Sequence, residues 1–306
     1  MGAFENPIHR MINKNIALVL SSGGARGIAH IGVINELIRQ GYQITSISGS
    51  SIGALVGGIY ATGQLPVFEE WMRSLSKRDV LGLVDFTFSF SGIIKGEKVL
   101  AEIKKMIPDR KIEKLKIPFV AVATDVINEQ EVIFDSGSLY NAIRASIAIP
   151  TVITPFNYKG KQLVDGGVLN PIPIDKIKRN QDDILVVVDL ASENSAESRI
   201  ERKIKNRARN HKYISKLEDK FNYYIPKIKE DNEDKLGYLD LLNRTTSLMV
   251  QRISMLTLEK YQPDILIKIS KNAFGTYEFY KSKEIIELGV SETKKAIKIY
   301  KSKQKI

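Results

Sequence analysis

The sequence predicts an α/β fold built on an open, mostly parallel sheet. Short continuous apolar runs at Ile16–Leu20, Val120–Ala123, Ile184–Val188 and Ile265–Ile267 have the character of strands buried on both faces. Between them lie segments with apolar residues at helical spacing, as at Ile31, Ile34 and Ile38. Glycine-rich turns join strand ends to helix starts, first at Ser21–Gly27 and again at Gly49–Gly53.

At 306 residues, 43% apolar and 26% charged, the chain can bury a substantial core as one large domain or one domain with an extension. Residues 1–15 read as a loose leader, without the apolar run of a secretion signal, and residues 16–306 as the folded domain. No stretch approaches 18 consecutive apolar residues, the minimum for a membrane-spanning helix. Cysteine is missing, which removes disulfides and thiolate metal sites and suits the cytoplasm. The net charge is +11, and Glu201–Glu230 holds ten Lys/Arg against four Asp/Glu. Such a patch attracts anionic phospholipid headgroups, nucleic acid or an acidic partner, or is simply a solvated helical face. No nucleic-acid-binding module accompanies it, so nucleic acid is not expected as a partner. A homodimer is compatible with the sequence, although no interface can be read from it.

In chain order, the first strand ends in Ser21-Ser22-Gly23-Gly24-Ala25-Arg26-Gly27, and the following helix stops at Gly41. Strand, glycine-rich loop and helix N-terminus together present outward backbone amides to an anion. The G-G-x-x-G spacing fits neither nucleotide-binding fingerprint, so an oxyanion hole formed by Gly23, Gly24 and Ala25 is the better reading. Arg26 is either a support for this loop and its anion or a plain surface arginine. His30 shares a helix face with Ile34 and Leu37 and reads as a packed, hydrogen-bonded side chain rather than a general base.

Ile44–Ile59 then runs as strand, turn and small-residue helix, with Gly49-Ser50-Ser51-Ile52-Gly53 at the corner. This is the G-x-S-x-G elbow, in which Gly49 and Gly53 admit close approach of strand and helix while Ser51 projects its hydroxyl. Residues 64–80 suggest a helix with Phe68, Trp71, Met72 and Leu75 inward. Phe86, Phe88 and Phe90 alternate, as in a half-buried strand or the lining of an acyl groove. A short amphipathic helix is expected over Lys95–Ile107, an edge hairpin over Glu131–Phe134, and a small-residue helix over Leu139–Ser146. Lys161–Val164 leads into Asp165-Gly166-Gly167, an aspartate at a strand end. Residues 191–262 read as a charged helical excursion between two strands, with Leu242, Met249, Ile253 and Leu256 at helical spacing. A last helix buries Ile286, Val290 and Ile297.

A serine hydroxyl needs a base before it can attack. The three histidines, His9, His30 and His211, are poorly placed for that role, which leaves Asp165 to take the proton of Ser51 directly. Neither a metal nor an organic cofactor is required.

SSGGARGIAHIG at Ser21–Gly32, GSSIG at Gly49–Gly53, ASIAIP at Ala145–Pro150 and DGG at Asp165–Gly167 together make the chain similar to bacterial patatin-like phospholipases, over about Ile16–Leu190 and again from Ile265. The resemblance implies a three-layer α/β/α fold and a Ser-Asp dyad, falling on Ser51 and Asp165, that cleaves lipid acyl esters without calcium. It also places the oxyanion-hole glycines at Gly23-Gly24 and gives His30 a structural role. An acyltransferase sharing the acyl-serine, and a catalytically silent lipid-binding or scaffold protein, remain as alternative readings. Headgroup, acyl length and positional preference are not legible. Peripheral attachment at the inner face of the membrane is the expected partner contact.

Overall fold

The computed structural model describes residues 14–83, 86–89, 92–94, 96–107, 109–192 and 238–304. The leader, apart from Lys14 and Asn15, and the basic stretch Glu201–Glu230 lie outside these residues. Two parallel pairings build the centre of the sheet. β1 (Asn15–Leu20) pairs with β2 (Gln43–Ser50) on one side and with β10 (Ile184–Ser192) on the other, and β10 pairs in parallel with β11 (Ile265–Ser270).

The side-chain alternation of these strands produces the layers. Ile16, Leu18 and Leu20 of β1 and Ile184, Val186, Val188 and Leu190 of β10 join one large core. Val19, Leu185 and Val187 point the opposite way into a second, smaller core with Ile172 and Ile174. The large core is covered by α1 (Ala29–Arg39), α2 (Ile52–Ala61) and α8 (Ser282–Lys303). Leu258 and Tyr261, near the end of α7 (Tyr238–Tyr261), cover the small one. The result is a central sheet with helices on both faces, a three-layer α/β/α arrangement.

The far side of the sheet places the chemistry. β5 (Phe119–Asp125) has two edges. Along one, Ala121–Asp125 pairs with β6 (Gln130–Phe134). Along the other, Phe119–Val122 pairs in parallel with β2, and Ala123–Asp125 pairs antiparallel with β9 (Lys161–Asp165). β2 and β9 therefore meet head to head on one edge of β5: Ser50 sits opposite Val122, and Asp165 opposite Ala123. β8 (Phe156–Tyr158) extends the sheet beyond β9.

Residues 65–82 form two helices rather than the single one expected, α3 (Leu65–Ser74) and α4 (Lys77–Gly82). Ser76 starts the second: its hydroxyl accepts the Asp79 amide while the Asp79 carboxylate accepts the Ser76 amide. α5 (Glu97–Met106) and α6 (Leu139–Ser146) follow the expected ranges closely. β3 (Phe86–Ser89) and β4 (Gly92–Ile94) form a small second sheet with β7 (Thr151–Ile153). Phe90 lies outside the described residues. Ile38, at helical spacing from buried Ile31 and Ile34, is 45% exposed, because α1 presents that position outward near its end. Val290 of α8 is only half-buried, whereas Ile286 and Ile297 are buried. Among the described residues, no helix is long and apolar enough to cross a membrane.

Candidate active site

Ser51 occupies the corner between β2 and α2 with φ 56° and ψ −125°. A non-glycine residue pays about 1–3 kcal/mol for such a conformation. Two glycines let the corner close. A methyl group on Gly53 would lie 2.1 Å from the Leu20 carbonyl oxygen, and one on Gly49 would lie 2.6 Å from that of Gly53. The corner is also tied from outside: the Ser51 amide donates to the Ser146 hydroxyl at 2.8 Å, and that hydroxyl donates to the Val122 carbonyl at 2.7 Å. Ser146, the last residue of α6, thus links the elbow to β5.

Ser51 Oγ donates to Asp165 Oδ2 at 2.5 Å. The head-to-head meeting of β2 and β9 makes this contact between residues 114 positions apart. The other carboxylate oxygen accepts the Gly167 amide at 2.7 Å, which fixes the carboxylate plane. The Asp165 amide donates to the Ala148 carbonyl at 2.9 Å, and the Thr124 hydroxyl donates to the Asp165 carbonyl. Both side chains are buried. Burial pushes the Asp165 carboxyl up to about 6, against the opposing pull of its bonds from Ser51 and Gly167.

The glycine-rich loop turns as a 3-10 segment, Gly24–Ile28, packed against α2 with Gly27 on Ile52. Gly24 adopts φ 58°, the left-handed region open to glycine. No partner among the described residues takes the Gly23 or Gly24 amide. The Ala25 amide is already used: it donates to the Thr276 carbonyl at 2.8 Å. Of the three expected oxyanion donors, Gly23 and Gly24 are thus available and Ala25 is engaged. A contact with a residue 251 positions away left no local sign in the sequence.

Arg26 is half-buried rather than freely exposed, and its guanidinium donates to the Phe274 carbonyl at 3.3 Å. Burial lowers it to about 10. Together, Ala25 and Arg26 fasten the loop to the segment after β11. His30 is fully buried, and its Nε2 lies 2.9 Å from the Ser21 carbonyl, bracing the end of β1. Burial holds the imidazole down at about 4, so it is neutral near pH 7. His30 therefore sits under the loop and makes no contact with Ser51 or Asp165 through its hydrogen bonds. Ser146 is the site residue whose role sequence reasoning missed; it lay in plain view within Ala145–Pro150, but nothing local indicates that its hydroxyl receives the elbow amide. Among the described residues, no three His, Asp or Glu side chains converge on a possible metal site.

The family description Patatin-like phospholipase matches residues 18–177, a span that contains the loop, Ser51, Ser146 and Asp165. An uncharacterized NTE family protein of Mycobacterium bovis is 33% identical, with 94% of this chain and 92% of that protein covered. Lysophospholipase NTE1 of Scheffersomyces stipitis is 31% identical over 59% of this chain, which corresponds to 12% of that much longer protein. Among solved structures, VipD from Legionella pneumophila aligns at 13% identity and a TM-score of 0.45, covering 94% of this chain and 67% of that one. The first two comparisons settle membership: this chain belongs to the patatin-like phospholipase family.

Proposed function

We propose that the protein is a lipid acyl hydrolase in which Ser51 is the nucleophile and Asp165 the general base. The observation that carries this reading is the 2.5 Å contact from Ser51 Oγ to Asp165 Oδ2 at a strained, buried corner. The Asp165 carboxylate takes the hydroxyl proton as Ser51 Oγ bonds to the carbonyl carbon of an acyl ester. The electron pair of the C=O moves to its oxygen, where the Gly23 and Gly24 amides and the N-terminus of α2 offset the charge. Collapse of this intermediate expels the alcohol, which receives the proton held by Asp165. A water molecule then loses a proton to Asp165 and attacks acyl-Ser51. Release of the carboxylic acid returns the proton to Ser51.

Family membership supports lipid acyl esters as the substrate class, in either phospholipase A or lysophospholipase-like form. The test is ester release from short-chain esters and mixed phospholipid vesicles by wild type, Ser51→Ala and Asp165→Asn. Turnover by wild type that is lost in both variants supports the reading. Undiminished turnover by pure Ser51→Ala overturns it, and product transfer to an added alcohol in preference to water favours the acyltransferase.

A further inference from the structure

The clearest feature outside the site is the first half of α7. The Lys271 ammonium, just past the carboxyl end of β11, donates to Gln251 Oε1 at 2.6 Å, so the middle of α7 lies near the level of the sheet's carboxyl-terminal edge. Ser51, which follows the last residue of the parallel strand β2, lies at that same edge. A helix rises about 1.5 Å per residue, so the segment from Gln251 back to Leu241 reaches about 15 Å past it. Over that length α7 is solvated: every residue from Leu241 to Met249 whose side chain is described is exposed.

The exposed side is apolar where a solvated helix should be polar. Leu241, Leu248 and Met255 recur every seven residues, and Leu242, Met249 and Leu256 recur beside them, forming two adjacent apolar rows along the outer face with Thr245 and Arg252 between them. Leu241, Leu248 and Met249 expose 51%, 63% and 60% of their surface. Charge selects the occupant. From Leu241 to Leu258 the charged side chains are Arg244 and Arg252, with no carboxylate. Between Leu241 and Leu258 a second copy offers these arginines no carboxylate, the nearest being Asp240 and Glu259 beyond the two ends of the span. The chain's own 193–237 stretch carries twelve Lys/Arg against nine Asp/Glu, so its net charge is positive and suits the arginines less well than an anionic surface does. A lipid surface with anionic headgroups meets both the apolar rows and the arginines.

We propose that α7 seats the protein on an anionic lipid surface, with the Leu241–Leu256 rows in the acyl boundary and Arg244 and Arg252 at headgroup phosphates. The choice of partner rests on the lipid-hydrolase reading; the test does not. Flotation of the full chain carrying Ser51→Ala is measured with phosphatidylcholine vesicles, with and without phosphatidylglycerol. Adding Leu248→Glu and Met249→Glu is expected to weaken binding to the mixed vesicles roughly tenfold or more. Adding Arg244→Gln and Arg252→Gln instead is expected to remove the preference for phosphatidylglycerol and flatten the salt dependence. Unchanged thermal unfolding shows that both variants remain folded. Vesicle binding within twofold of the Ser51→Ala parent in the Glu variant overturns the proposal. It is then replaced by self-association if that variant turns a dimer into a monomer, or by intrachain cover if trypsin cleavage within 193–237 increases. Because the parent cannot form acyl-serine, loss of hydrolysis and loss of docking are separate results.

Discussion

The elbow and the first half of α7 lie toward the same edge of the sheet and depart from ordinary folding economy in opposite ways. At the elbow, a backbone strain of about 1–3 kcal/mol is held by the bond that the Ser51 amide donates to Ser146, and a buried carboxylate by bonds donated from Gly167 and Ser51. In α7, the departure is apolar surface left in water along Leu241–Met249, ahead of the Lys271–Gln251 bond that ties the middle of the helix to the end of β11. The first arrangement is over-determined from within, so its geometry survives without substrate. The second is under-determined and calls for something outside the fold. Precise chemistry thus sits on a rigid corner, and adaptable contact on a projecting helix.

The comparison is broken most severely at the dyad. Ser51→Ala and Asp165→Asn should each lower kcat on a soluble ester by about 10³-fold or more, read by ester release. If the elbow is as tightly determined as its contacts indicate, Gly53→Ala should cost about 3 kcal/mol or more in denaturant unfolding, because the new methyl meets the backbone oxygen of Leu20. Ser146→Ala should cost about 1–3 kcal/mol by leaving the Ser51 amide without its buried acceptor, and should lower kcat more than it changes KM. At the other extreme, Leu248→Gln should change unfolding free energy by about 0.5 kcal/mol or less, since the side chain is solvated already.

Protonation sharpens the same contrast. With its carboxyl raised to about 6, Asp165 must be deprotonated to act as base, so kcat/KM should rise with pH through about 6 and fall roughly tenfold per unit well below it. For stability, the folded chain holds this proton more tightly than the unfolded one. The favourable contribution is full below the unfolded value near 4 and is lost as pH rises through about 6, at a cost of at most about 3 kcal/mol. Asp165→Asn should therefore unfold at a higher temperature than wild type at pH 7, and the advantage should vanish near pH 4. Equal unfolding temperatures at pH 7 would show that the carboxylate is better solvated than its burial implies.

Much of this was legible in the chain. The continuous apolar runs became β1, β5, β10 and β11, and the Gly49–Gly53 and Asp165–Gly167 motifs lie where two strands end, because short-range turn chemistry specifies both. The head-to-head meeting of β2 and β9 was not legible, since pairing partners along β5 are chosen by tertiary packing. The same holds for Thr276 on Ala25 and for Ser146 under Ser51: each joins residues far apart in sequence and leaves no periodic signal. In α7, helical spacing identified the helix, but Leu242, Met249 and Leu256 face water rather than a core. Periodicity reports that a helix has an apolar side; it does not say what that side meets.

The most direct measurement of the dyad is covalent capture of Ser51 by a fluorophosphonate probe, located by mass spectrometry and timed across pH. The account predicts a single adduct on Ser51, a labelling rate that rises through about pH 6, and loss of labelling in Asp165→Asn. An adduct on another residue, or labelling of Ser51 at the same rate without the Asp165 carboxylate, would contradict it.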